Sequence, residues 1–323
     1  MGFDRVEVDA VTRVGVVFPG QGSQSVGMGG ALAERFPIAA DLFARARRVL
    51  GYDLSAVVRN GPDEALRETR YSQPAIFVVN YALAAATGDA LAAVASAGHS
   101  FGEYCSLTLA GALRFEDALA LVQERALAMQ AAAESAPGAM AAILGLDVAR
   151  IREAVAQAGD AGRVQLANFN APAQIVVSGD RDAVARAGEL ALAAGAKRVV
   201  PLNVSGAWHS ALMAPARERF APFVERATIA LPTFTVISNV DAQPYREVAS
   251  IRRNLVRSVT EEVLWHAASE RLLEEHLDLI VEFGGSPVLG PLMKRLPNAP
   301  STLHVGDDKG VVALLQRLGE GAA

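Results

Sequence analysis

The chain is poor in cysteine, in net positive charge and in long unbroken apolar runs, and each shortage closes off a class of protein. Cys105 is the single cysteine in 323 residues, which excludes a disulfide framework and a multi-cysteine zinc site. Acidic residues outnumber basic ones, 35 against 30, for a net charge of −5. A nucleic-acid binder needs a basic face to neutralise phosphates, so no nucleic-acid partner is expected. The most apolar long stretch, Tyr81 to Gly98, is rich in alanine and interrupted by Asp89. No membrane span is expected from it. The opening MGFDRVEVDA carries acids where a signal peptide needs a basic and then an apolar region, which makes a reducing cytoplasm the expected compartment. No internal repeat of solenoid length is visible. What is present is a globular composition, 51% hydrophobic and 20% charged. The length accommodates a core of roughly 200–250 residues plus one inserted subdomain.

Along the chain, Arg13 to Phe18 reads as a β-branched strand running into the glycine-rich loop Pro19 to Gly30. Helical periodicity follows from Ala31 to about Val58. A second apolar run, Leu91 to Ala97, reads as a buried strand and stops at Gly98-His99-Ser100-Phe101-Gly102. Glu103 to Leu113 and Glu116 to Glu134 then read as two helices. From Pro137 the rhythm changes. Met140 to Leu146, Gln165 to Asn168, Gln174 to Ser178 and Lys197 to Val204 are strand-like, with helical stretches at Val148 to Ala158 and Arg181 to Ala194. That βαββαβ order predicts a small ferredoxin-like subdomain, residues 137–205, inserted into a larger α/β domain made of residues 1–136 and 206–323. Another strand, Leu279 to Phe283, precedes a Gly-Gly-Ser-Pro turn and a helix over Val288 to Leu296, and Gly319 to Ala323 is expected to fray.

Gly98-x-Ser100-x-Gly102, after a strand and before a helix, has the form of a nucleophile elbow. A sharp turn lifts the serine out of the backbone, and only glycine lets the flanking chain pass so closely. A serine nucleophile needs a base, and there are five histidines. His99 adjoins Ser100, but neighbouring side chains diverge. His266, His276 and His304 sit in helix-like or strand-like runs and read as structural. His209 follows the loop Ser205-Gly206-Ala207, where catalytic groups are well presented. Arg125 shares one helical face with Ala118, Val122 and Met129. A buried arginine needs a partner, so it either makes an internal ion pair or receives a ligand anion. The loop at Gly20-Gln21-Gly22 lacks the third glycine of a dinucleotide fingerprint. It reads instead as backbone N–H groups brought close to an oxyanion at the Ser100 site. Cys105 reads as a small helix-packing residue.

These segments, Phe18-Pro-Gly-Gln-Gly-Ser-Gln24, Gln73-Pro74-Ala75, Gly98-His-Ser-Phe-Gly-Glu-Tyr104, Gln123-Glu-Arg125, Gly138-Ala-Met-Ala-Ala142, Asn168-Phe-Asn170, Val204-Ser-Gly-Ala-Trp-His-Ser210 and Gly284-Gly-Ser-Pro-Val-Leu289, occur in an order that resembles the malonyl-CoA:acyl carrier protein transacylases and the related, including free-standing, acyltransferases of polyketide synthases. The resemblance runs from about Val14 to Leu296. It implies an α/β-hydrolase-like core, with Ser100 as nucleophile and His209 as its base. It implies that the backbone N–H groups of Gln21 and Phe101 form the oxyanion hole and that Arg125 pairs with the malonyl carboxylate. His209 would be oriented by a backbone carbonyl near Val263-Leu264-Trp265, at Leu264. Trp208 and Met129 would line the acyl pocket, and Lys294 with Arg295 would meet an acidic acyl carrier protein.

The implied reaction is ping-pong malonyl transfer for fatty-acid or polyketide synthesis, by a monomer, with malonyl-CoA as substrate and no cofactor or metal. Three alternatives share parts of the pattern. An acyl hydrolase clearing carrier proteins would use Ser100 and His209 but has little use for Arg125. A transferase for another extender unit would differ at the acyl pocket. A non-catalytic docking module would not need Ser100 and His209.

Overall fold

The computed structural model describes residues 12–320; the acidic N-terminal stretch and the last three residues of the segment expected to fray lie outside the described residues. Among the described residues, nine strands follow one another in the chain: β1 (Val14–Phe18), β2 (Ala93–Gly98), β3 (Ala139–Leu144), β4 (Val164–Ala171), β5 (Gln174–Gly179), β6 (Arg198–Pro201), β7 (Thr235–Ile237), β8 (Leu279–Phe283) and β9 (Ser301–Val305). They build two sheets. One is five-stranded and parallel throughout, in the order β7-β2-β1-β8-β9. The other is four-stranded and antiparallel, in the order β4-β5-β3-β6.

The parallel sheet is buried on both sides, which is why β1 (VGVVF) and β8 (LIVEF) read as near-continuous apolar runs. Successive side chains alternate between two core clusters. Val16, Phe18, Val281 and Phe283 join the larger cluster, which includes the Thr69–Ala85 helix, while Val17, Ala97 and Ile280 pack with Trp265, Ala268 and Leu272 of the Trp265–Leu273 helix. Glu282 is buried in β8 but satisfied. Its carboxylate accepts hydrogen bonds from the N–H groups of Val288, Leu289 and Gly290 at 2.7–2.8 Å. It thereby secures the turn after β8.

The antiparallel sheet places Ile143, Leu166 and Val177 against Ile151 of the Val148–Ala158 helix and Val184 of the Arg181–Ala193 helix. Its opposite face contributes Met140, Ala167 and Val176 to the large core. Reciprocal bonds from Phe169 N–H to Val263 O (2.9 Å) and from Val263 N–H to Ala167 O (2.8 Å) stitch β4 to the rest of the molecule.

Several segments differ from the sequence-based expectation. The helical region after the glycine-rich loop is three helices, Leu32–Arg35, Pro37–Leu50 and Leu54–Asn60. Pro37 starts the middle one, and Gly51, at φ 78°, ends it. The helix expected over Val288–Leu296 is only Gly290–Met293, because Glu282 holds the preceding residues in a turn. The edge strand β7 was not anticipated, being three residues with no alternating pattern to read.

Candidate active site

β2 ends at Gly98 and the Gly102–Leu109 helix begins four residues later. Both glycines answer to close approach. A Cβ on Gly98 would lie 2.0 Å from the carbonyl carbon of Gly102, and one on Gly102 would lie 2.3 Å from Phe18 O. Between them Ser100 holds φ 53°, a left-handed conformation that costs a non-glycine residue of order 1–3 kcal/mol and persists only where neighbours enforce it. The turn sets Ser100 Oγ 2.8 Å from His209 Nε2.

The other ring nitrogen, His209 Nδ1, lies 2.8 Å from the carbonyl oxygen of Ser258. A carbonyl only accepts, so Nδ1 carries the proton and Nε2 offers its lone pair to the Ser100 hydroxyl. This corrects the expectation that Leu264 orients the histidine. The Leu264 carbonyl is committed to the Trp265–Leu273 helix, accepting from Ala268 N–H at 2.9 Å. Ser258 caps the C-terminus of the Val248–Arg257 helix, where carbonyls are left without intrahelical donors. Burial, the charge of Arg125 and then His99 hold the His209 imidazole down to about 3, so it is neutral over the physiological range.

Arg125 is fully buried on the Phe115–Ser135 helix. It has no carboxylate partner among the described residues, so the internal ion pair weighed from sequence is absent. One terminal nitrogen donates to Gln73 Oε1 at 2.8 Å and the other to Ser100 Oγ at 3.3 Å, while Nε has no partner. The guanidinium lies 5.9 Å over the Phe101 ring. Burial lowers its affinity for the proton.

These groups open into a cavity of about 440 Å³. Gln21, Phe101, Met129 and Trp208 line it, as do Val288 and Leu292. Neither Gln21 N–H nor Phe101 N–H has a hydrogen-bond partner among the described residues. Met129 receives a weak bond from Gln73 Nε2 at 3.7 Å, and Trp208 is buried with its indole N–H unpartnered. Lys294 and Arg295 lie apart from the cavity on the exposed surface, Arg295 donating to Gln174 Oε1 at 2.8 Å.

The remaining histidines are elsewhere or otherwise engaged. His99 Nε2 pairs with Asn170 Oδ1 at 2.9 Å, His304 with Gly284 O at 2.7 Å, and His266 faces Glu270 at 3.6 Å. Cys105 is buried, and burial pushes its thiol well up. Sequence reasoning assigned no role to Gln73, Glu103, Asn239 or Ser258. Gln73 and Glu103 stand inside motifs that were recognised. Asn239 and Ser258 carry no local signal, because they act through a side chain and a carbonyl brought in from far along the chain.

A two-sheet α/β fold with a serine–histidine pair and an unpaired buried cation in one pocket suits an enzyme that acts on acyl compounds. The acyl transferase domain family matches residues 16–299. A malonyl CoA-acyl carrier protein transacylase of Salmonella typhimurium is 41% identical over 308 residues, covering 94% of this chain and 99% of the relative. The polyketide biosynthesis protein ThaF of Burkholderia thailandensis is 41% identical over 290 residues, covering 89% of this chain and 24% of ThaF. Among solved structures, a malonyl-transacylase in complex with a type II polyketide acyl-carrier protein superposes with TM-score 0.90 at 39% identity, covering 95% of this chain and all of that one. The chain belongs to the acyl transferase family, within its malonyl-CoA:acyl carrier protein transacylase branch.

Proposed function

We propose that this acyltransferase moves a malonyl group from malonyl-CoA to the phosphopantetheine thiol of an acyl carrier protein, through an ester on Ser100. The observation that carries the malonyl assignment is Arg125: a buried cation with no ion-pair partner among the described residues, 3.3 Å from the Ser100 hydroxyl, in the wall of the cavity of about 440 Å³. A neutral acyl group gives such a guanidinium nothing to bind, whereas a carboxylate accepts two parallel hydrogen bonds from its fork.

In the first half-reaction His209 Nε2 takes the Ser100 proton as Oγ attacks the thioester carbonyl. The oxyanion meets the free N–H groups of Gln21 and Phe101. The tetrahedral intermediate collapses, the C–S bond breaks, and the proton on Nε2 passes to the departing coenzyme A thiolate. In the second half, neutral His209 takes the proton of the carrier thiol and the sulfur attacks the malonyl ester. Collapse returns the proton to Ser100 Oγ. Nothing in this sequence requires a cofactor. The depressed imidazole stays unprotonated and free to accept a proton in both halves, although it is a weaker base than a free histidine. A malonyl carboxylate on Arg125 also cancels one of the charges that depress it.

Trp208 and Met129 form the acyl pocket in this proposal, the indole crowding the carbon that would bear a methyl branch. Lys294 and Arg295 belong to the surface that receives the carrier protein. The β3–β6 unit is a ferredoxin-like insertion, residues 137–205, in an α/β-hydrolase-like core, a reading supported by the β4-β5-β3-β6 order. A cytoplasmic site of action fits a chain whose described helices include none long and apolar enough to cross a membrane. The relatives include malonyl CoA-acyl carrier protein transacylases and a polyketide biosynthesis protein, and the same chemistry serves fatty-acid and polyketide synthesis.

Intact-mass analysis after incubation with malonyl-, methylmalonyl- and acetyl-CoA tests the proposal. One malonyl adduct is expected on the wild type, none on Ser100→Ala, and the adduct should move to added carrier protein. An adduct that persists on Ser100→Ala, or faster release to water than to the carrier, overturns it in favour of another nucleophile or a hydrolase.

A further inference from the structure

The strained backbone of Ser100 is gripped from one side by a single residue. Asn239, just past the edge strand β7 and buried, accepts from Ser100 N–H through Oδ1 at 2.9 Å and donates from Nδ2 to Ser100 O at 2.7 Å. A carboxamide carries a donor and an acceptor side by side, so it can hold both polar atoms of one residue. Asn239 is held in turn by Glu103, on the first turn of the helix behind the serine. The Glu103 carboxylate accepts from Asn239 N–H at 2.7 Å and from Nδ2 at 2.6 Å, and Tyr245 donates its hydroxyl to the other oxygen. Because the carboxylate must face the amide's NH₂, it also settles which end of Asn239 meets which atom of Ser100.

Glu103 is as buried as the core leucines, yet all three of its partners are neutral donors. A carboxylate without a cation in such a place is a burden on stability. Glu103 takes no direct part in the steps of malonyl transfer.

We propose that Asn239 and Glu103 are positioning residues for the nucleophile: the Glu103 carboxylate orients the Asn239 amide, and that amide holds Ser100 in the left-handed conformation that aims Oγ at His209 and leaves Phe101 N–H facing the cavity. The inference rests on Ser100 being the acylated residue.

The protonation state of Glu103 then matters. A carboxylate can accept all three hydrogen bonds. A carboxylic acid must spend one oxygen as a donor, which displaces the Tyr245 hydroxyl or an Asn239 donor. Burial pushes this carboxyl up to about 7, with the Tyr245 and Asn239 bonds opposing and Asp241 adding to the rise. The other charged or titratable groups facing the cluster are Tyr104 on its own helix, Arg125 on the Phe115–Ser135 helix, and Arg257 across Asp241 and Tyr245. Since His209 is held near 3, an acid limb near neutrality in kcat/KM reports Glu103 and not the base.

The test is the rate of Ser100 malonylation between pH 5.5 and 8.5, with kcat and KM separated, for wild type, Glu103→Gln and Asn239→Ala. Wild-type activity should rise with pH through about 7. Glutamine, an isostere of the neutral acid with one acceptor and one donor, should give a flat profile at the wild-type low-pH level, with KM for malonyl-CoA unchanged. Asn239→Ala should lower kcat about 10²-fold, the usual penalty for misplacing a reacting atom by about 1 Å, again with little change in KM. Stability should move the other way. A carboxyl raised in the folded state contributes stability below its unfolded pKa and loses it as pH rises through about 7. Glu103→Gln should therefore melt higher than wild type at pH 8 while reacting more slowly.

A wild-type acid limb retained in Glu103→Gln, or kcat unchanged in a folded Asn239→Ala, overturns the inference. If Asn239→Ala does not fold, the isosteric Glu103→Gln decides alone. A wild-type adduct mapped away from Ser100 overturns the nucleophile assignment instead.

Discussion

Around the elbow after β2, Arg125, Glu103 and His209 are all buried, and none forms an ion pair among the described residues. In the antiparallel unit the charges stay at the surface and pair with one another, Arg163 with Asp180 at 3.1 Å and Arg150 with Asp147 at 3.5 Å. The two regions share one chain and one core, so the difference is not one of composition. Exposed pairs in water are worth little and are freely replaced. Buried groups without charge partners are expensive, and their retention marks where chemistry, not folding, sets the requirement.

The largest break in this comparison should come at His209. Alanine there removes the base while leaving Ser100 in place, and single-turnover acylation should slow by about 10²–10⁴-fold. A loss under about tenfold would move the base elsewhere. Next is Arg125→Met. Losing one partner of a desolvated carboxylate–guanidinium pair costs about 2–5 kcal/mol, or roughly 30-fold to several thousandfold in kcat/KM for malonyl-CoA. Acetyl transfer should be spared. Because no carboxylate is left behind in the free protein, melting should show an unchanged or higher midpoint, as when a buried charge gives way to an apolar side chain. A protein that unfolds would instead mean that Arg125 is structural. The smallest effect belongs to the antiparallel unit. Asp180 is held below the usual carboxylate range mainly by its hydrogen bonds to Arg163. Its contribution is present above the unfolded pKa and fades as pH falls through the folded one. Asp180→Asn should cost less than about 1 kcal/mol at neutral pH and leave malonyl transfer unchanged. A shift in activity would tie that unit's surface to the reaction.

Where local chemistry demanded a residue type, the sequence was readable. β1 and β8 showed themselves as apolar runs because both faces are buried, and the elbow showed itself because two close approaches admit only glycine. The separate antiparallel strands were visible through alternation and turns, although β4 runs three residues past its expected end into its hairpin turn. β7 was hidden because three residues are too short for a pattern. The helix after β8 was overestimated, since nothing nearby announces that Glu282 reaches forward to hold the turn.

The same division runs through the site. Ser100 between its glycines and Arg125 within an apolar stripe are consequences of spacing along one element, and sequence alone determined them as candidates. Which carbonyl faces His209 was open to the tertiary structure only. Leu264 is close in pattern but spends its carbonyl inside a helix, whereas Ser258 stands at a helix end with one to spare. Whether Arg125 had an ion partner was likewise decided by packing, because a partner could have come from far along the chain and none did among the described residues. Asn239 reaches Ser100 across 139 residues of sequence. Contacts of that range follow from how strands pair in the sheet, and no pattern within a single segment encodes them.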